Sequence, residues 1–107
     1  MWFESWAAVL YWLAPMMSCK ILHQVQNITE HTGITHLPDT VHNTRTIRTW
    51  PILCWMAWNM QYHTAHHTYP GVPFHALPEL NALLVERLGT QVPTISYLGF
   101  QRWFLGV

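Results

Sequence analysis

With 107 residues, the chain allows one domain at most and a core of limited size. Half of its residues are hydrophobic and only 9% are charged, against roughly a quarter in an average soluble domain, so much of the chain is expected to face lipid or a larger partner. The formal net charge is zero and no basic patch is available to meet a phosphate backbone, which excludes nucleic acid as a partner.

Residues 5–19 carry no charge and are rich in Trp, Leu, Met and Ala. They fall short of the roughly 20 residues that cross a bilayer as a helix. Together with Trp2, Phe3, Ile21 and Leu22 they can span, provided Glu4 and Lys20 sit at the two interfaces. A transmembrane helix is therefore expected over residues 1–23. All five basic residues (Lys20, Arg45, Arg48, Arg87 and Arg102) follow the apolar run, which by the positive-inside rule places residues 20–107 mainly in the cytosol. The N-terminus lacks the basic start of a secretory signal, and Pro15 stands where a small-residue cleavage site belongs. Cys19 and Cys54 form no CxxC pair and read as free thiols of a reducing compartment.

The first helix is expected to continue to Gly33, a residue suited to the position just past a helix end. Residues 34–50 are polar and turn-rich, with Pro38-Asp39 and Asn43-Thr44-Arg45-Thr46. A new helix should begin near Pro51, because proline suits the first helical turn, and should carry Trp55, Trp58 and Met60 and then a group of histidines. Tyr69-Pro70-Gly71-Val72-Pro73 ends it. A last helix is expected over Leu77–Leu88, opened by Pro78 and closed by Gly89, with Leu80, Leu83, Leu84 and Leu88 on one apolar face. The aromatic tail, residues 95–107, is expected on the membrane surface. The expected fold is all-α: one membrane-spanning or membrane-associated helix followed by cytosolic and interfacial helices.

The chemistry concentrates in His63-Thr64-Ala65-His66-His67. On a helix, positions i, i+3 and i+4 fall within an arc of about 100°, so one turn offers three imidazole nitrogens to a metal ion. Imidazole suits Zn, Cu, Fe and Ni alike. A zinc protease would place a Glu base between its two histidines, and Thr64-Ala65 supplies none. A structural zinc site would usually enlist cysteine, and neither Cys has a suitable neighbour. Many histidines and few carboxylates beside an apolar segment favour an oxygen-activating iron site. Asn27 and His31 lie one turn apart on the same face of the first helix, where Asn can bind a metal weakly or hold a ligated water. His36 and His42 read as exposed loop residues, His23 as an interfacial one, and His75 as a packing, capping or ligand-supporting residue. The Trp and Met residues read as core or lipid-facing positions.

The segments Glu30-His31-Thr32-Gly33, Asn43-Thr44-Arg45-Thr46 and the continuous run from Trp58 through His63, His66 and His67 to Tyr69-Pro70-Gly71-Val72-Pro73-Phe74-His75-Ala76-Leu77-Pro78 resemble the C-terminal part of membrane fatty acid desaturases. The resemblance covers about residues 24–82, in order. It implies that His63, His66 and His67 are the third histidine box and ligate a non-haem di-iron centre. His31 matches the additional histidine on the preceding helix, and Asn27 the asparagine that contacts iron through water. Where this chain has Ala65, family members often carry Glu, so a hydrogen bond supporting an imidazole is expected to be missing.

The family's two earlier boxes, H-x-x-x-H and H-x-x-H-H, do not occur before residue 31, where His23 is the only histidine. The chain therefore reads as a C-terminal portion of a desaturase domain, with a cytosolic metal-binding region over residues 24–107, inactive alone. The resemblance further implies dioxygen as co-substrate, an acyl-lipid substrate, and cytochrome b5 or a ferredoxin as electron donor. Carotenoid hydroxylases and ketolases share the superfamily and are the alternative, as is a non-enzymatic, membrane-attached metal-binding module.

Overall fold

The computed structural model describes residues 6–34 and 38–107; Glu4 and His36, and the first five residues of the expected span, lie outside them. The first helix opens with a π turn over Val9–Leu13 and continues as α1 over Ala14–His31. The π turn sits where Pro15 has no N–H to give and its ring crowds the preceding turn. The Ala14 N–H instead reaches back five residues to the Val9 carbonyl. No helix among the described residues is long and apolar enough to cross a membrane. From Lys20 onward α1 carries Lys20, His23, Gln24, Gln26, Asn27 and Glu30, which breaks the apolar run. The π turn leaves Leu10, Tyr11 and Trp12 exposed, and the start of α1 leaves Met17 exposed.

α1 stops at His31 because Thr32 turns to extended backbone and Gly33 takes a left-handed φ of +72°. A side chain at Gly33 is doubly disfavoured, since a Cβ there would lie 2.1 Å from the Trp103 ring.

Two corrections to the all-α expectation follow. First, Thr46–Arg48 forms a short strand, β1, that pairs in parallel with β2, Thr94–Ser96, in the register Thr46↔Thr94, Ile47↔Ile95 and Arg48↔Ser96. The pairing joins segments nearly fifty residues apart, which no local periodicity reveals. Second, the helix opened by Pro51 is α2, Pro51–Met56, and it does not run on into the histidines. Trp58 and Asn59 both adopt positive φ, 54° and 57°, and reverse the chain before α3 starts at His63. Asparagine tolerates this conformation, whereas tryptophan rarely adopts it. Asn59 is held by its N–H to the Cys54 carbonyl and by its side-chain amide donating to the Phe74 carbonyl, while the Trp58 ring packs on Phe74 with centroids 4.8 Å apart.

α3, His63–Thr68, is a turn and a half long and packs against α4, Leu77–Leu88, as expected for that helix. Ala65, Leu77, Leu84 and Val92 form the buried core, flanked by Met60, Tyr62, Val72, Leu80 and Leu88. Leu83, expected on the same apolar face, is half exposed. The tail forms α5, Tyr97–Leu105, capped by the Ser96 hydroxyl accepting from the Gly99 N–H and ended by Gly106 in the left-handed conformation.

Candidate metal centre

The site depends on how α1 and α3 are brought together, and the segment around β1 does this. The Arg45 N–H donates to the Glu30 carbonyl at 3.2 Å, and the Arg45 guanidinium donates to the Thr32 carbonyl at 2.6 Å. Both acceptors lie at the C-terminal end of α1, where carbonyls lack partners within the helix. Two residues on, the Ile47 N–H donates to the Gln61 carbonyl at 2.8 Å, just before α3. Gln61 is itself fully buried and anchored through its side-chain amide to the Leu53 carbonyl. The Asn43-Thr44-Arg45-Thr46 run thus leads into a backbone tie between the helix bearing His31 and the helix bearing His63.

Across this tie, three imidazoles converge. His63 Nε2 lies 2.9 Å from His31 Nε2 and 3.0 Å from His67 Nε2. One nitrogen from each ring falls within 4.8 Å of the other two. A metal–imidazole bond of about 2.1 Å holds neighbouring ligand nitrogens about 3.0 Å apart, so the separations around His63 suit a shared cation. The rings stand edge to face, with interplanar angles of 84° for His31–His63 and 62° for His63–His67.

Burial sets the protonation states. Desolvation, reinforced by the neighbouring His67, His31 and His66, pushes His63 down to a pKa of about 3, and desolvation also lowers His31 and His67. At neutral pH the cluster is uncharged, and neutral imidazole is the form that donates a lone pair to a metal. Beside it sits Glu30, only 3% exposed, with Oε1 accepting from the Gln26 side-chain amide at 2.9 Å and Oε2 lying 3.7 Å from His63 Nδ1. Burial raises the Glu30 carboxyl to about 7. An ion pair would shift both groups the opposite way, so desolvation outweighs the attraction between them.

His66 does not join the group. Its ring centroid is 6.0 Å from that of His63 and 5.8 Å from that of His67, because the i+3 position lies on the other flank of His63, about 100° around α3 from His67. One face of the box therefore meets α1 with two of its three rings. Asn27, one turn before His31, lines a cleft of about 420 Å³ with Gln26, Glu30, Ala57, Met60 and His63. That cleft shares His23, Gln26 and Ala57 with an apolar groove of about 520 Å³ lined by Leu22, Val25, Leu53 and Met56. Elsewhere, His42 pairs with Asp39 in the loop, His75 is exposed with its ring against Phe74, and His23 is exposed on α1. Ala65 is fully buried in the apolar core.

Glu30, Gln26 and Arg45 are the residues of this region that sequence reasoning left without a role. The signal for the first two was present, since Gln26 and Glu30 are four residues apart on a helix and share the face of Asn27 and His31. For Arg45 no local pattern marks its contact with α1.

The family model for fatty acid desaturases matches residues 1–99. Comparison with curated proteins and with solved structures finds no match. A match over nearly the whole chain, joined to histidines that converge from two separate helices, identifies the chain as a member of the fatty acid desaturase family.

Proposed function

We propose that this chain carries the third-box part of a di-iron, oxygen-dependent membrane desaturase that introduces a double bond into acyl chains, and that it works only with further iron ligands supplied from elsewhere. The convergence of His31, His63 and His67 is the observation that carries this reading. His31, His63 and His67 would hold iron, His66 on the other flank of α3 would be available to a second ion, and Asn27 would reach the centre through a water. When bound, the iron pair supplies oxygen activation and removal of hydrogen from an unactivated C–H bond.

The chain's own residues do the rest. Burial keeps His31, His63 and His67 neutral, so their lone pairs are available to metal at neutral pH. The groove between α1 and α2 takes the acyl chain, and its Leu22, Val25, Leu53 and Met56 walls exclude water. The shared Gln26 and Ala57 lead from that groove toward His63. Exposed apolar side chains on α1, α2 and α5, including Leu10, Trp12, Trp55 and Phe104, rest in the membrane, with residues 20–107 mainly on the cytosolic side. Electrons come from cytochrome b5 or a ferredoxin. Desaturation and hydroxylation share the first hydrogen abstraction, so a lipid or carotenoid hydroxylase is the neighbouring reading.

The full chain, expressed alone and purified in detergent, should bind iron and lose it on His63→Ala. Lipid profiles of the host should show no new unsaturated acyl chains. New double bonds would refute the dependence on outside ligands. One tightly held zinc with no iron would favour a non-enzymatic metal-binding module instead.

A further inference from the structure

A metal held by His63 Nε2 requires that nitrogen to be unprotonated, so the single proton of the neutral ring must sit on Nδ1. Something has to hold it there, because the two tautomers of a free imidazole interchange readily. Nδ1 of His63 is buried, and the carboxyl oxygen Oε2 of Glu30 faces it at 3.7 Å. Glu30 is a charged residue type almost wholly removed from solvent, a placement with no use in ordinary packing. Its orientation is set by a second contact, since Oε1 is occupied by the Gln26 amide one helical turn earlier. Oε2 is thereby left directed across the gap between α1 and α3. The Arg45 N–H grips the Glu30 backbone carbonyl, which anchors the same residue from its main chain.

We infer that Glu30 is a positioning residue: its carboxylate accepts a hydrogen bond from the Nδ1–H of His63, which keeps the proton on Nδ1 and leaves the Nε2 lone pair facing His31 and His67. This rests on the reading of the three histidines as metal ligands, and it adds a residue of α1 that acts through α3 rather than on the ion. Ligating histidines commonly give their second N–H to a carboxylate, and loss of such a partner typically weakens metal binding by about 10- to 100-fold. Met60 offers the His63 ring a backbone hydrogen bond as well, and is the alternative partner of the ring.

The test uses the full chain in detergent with ¹⁵N-labelled histidine, first metal-free and then titrated with Co²⁺ alone. In the metal-free chain the His63 Nδ1–H resonance should appear downfield, as expected for a carboxylate acceptor. It should move upfield in Glu30→Gln and further in Glu30→Leu, with the other histidine resonances little changed. Co²⁺ binding should weaken a few-fold in Glu30→Gln and about 10- to 100-fold in Glu30→Leu. Glu30→Gln preserves the side chain's volume and its contact with Gln26, so it decides the matter if Glu30→Leu does not fold. An unchanged His63 resonance and unchanged Co²⁺ affinity in Glu30→Gln and in any folded Glu30→Leu would overturn the inference. Failure of the wild-type chain to bind Co²⁺ through His31, His63 and His67 would overturn the metal reading instead, while the resonance of the metal-free chain would still decide the role of Glu30.

Discussion

His63 and His31 present Nε2 atoms 2.9 Å apart although 32 residues separate them in the chain. Two neutral imidazoles meet at that distance only when one donates and the other accepts, or when a cation lies between them. With His67 Nε2 at 3.0 Å from the same atom, three imidazoles form a group that could hold a cation. The third histidine of the box is left out, which yields a sharp expectation. With Co²⁺ as the probe, His31→Ala, His63→Ala and His67→Ala should each lower affinity by about 100-fold or more, taking the loss of a supporting group as the lower bound. His66→Ala should change it less than about tenfold on the same scale. Equal losses in all four variants, read by calorimetric titration, would refute the division.

The pH dependence of the metal-free chain follows from His63. Its folded pKa, about 3, lies below the ordinary value of 6.5, so its contribution to stability is present above 6.5 and is lost as pH falls toward 3. Between pH 7 and pH 5 this costs about 2 kcal/mol, at 1.36 kcal/mol per pH unit below 6.5. Glu30 acts in the other direction: with a folded pKa of about 7, its contribution is full below 4.5 and lost as pH rises through 7. Denaturant unfolding at the two pH values should therefore show His63→Asn losing less stability on acidification than the wild type. A Glu30→Gln chain should lose more. Identical pH slopes in the three proteins would contradict these shifts.

Gly33 should tolerate no side chain. Gly33→Ala places a methyl 2.1 Å from the Trp103 ring at a φ of +72°. The expected cost is about 1–3 kcal/mol, combining left-handed strain with displacement of the ring. Trp103→Ala in the same chain should recover part of it, since the steric component then disappears. A double-mutant cycle on melting temperatures separates the two.

Arg45 should resist replacement by lysine. Its guanidinium donates to the Thr32 carbonyl and lies 5.5 Å from the ring centres of both Phe100 and Trp103, joining α5 to the end of α1. Arg45→Ala should cost about 2–4 kcal/mol from the lost charged hydrogen bond and the ring contacts. Arg45→Lys should recover only a minority of that, because an ammonium lacks the planar, weakly hydrated guanidinium face that packs on aromatic rings. Full recovery in thermal melts would show that charge alone matters.

Ala65 is the position where the family resemblance suggests a missing carboxylate. It is fully buried in an apolar cluster with Leu77, Leu84 and Val92. Ala65→Glu should destabilise the chain by about 3 kcal/mol or more through an uncompensated buried group, rather than strengthen the site. Improved Co²⁺ affinity with unchanged melting would reverse this view.

Local chemistry was legible without coordinates wherever it rests on neighbours in sequence. Pro51 and Pro78 open helices because proline needs no N–H partner in a first turn, and Gly33 and Gly89 follow the ends of α1 and α4. The apolar spacing of Leu80, Leu84 and Leu88 and the histidine box itself were visible for the same reason. Other features depend on distance in the chain. The β1–β2 pairing, the reversal at Trp58 and Asn59, and the bonds from Arg45 and Ile47 to α1 and to Gln61 each join segments with no shared periodicity.

The sequence by itself therefore determined which side chains can bind a metal, since a helical repeat of 3.6 residues places His63 and His67 on one face whatever surrounds them. Only the tertiary structure decided which of them act together. The approach of α1 to one side of α3 selects His63 and His67 to meet His31, sets His66 apart and buries Glu30 against the Nδ1 edge of His63. The reason is physical: a ligand set is defined by where lone pairs converge, and convergence is a property of packed helices rather than of spacing along a chain.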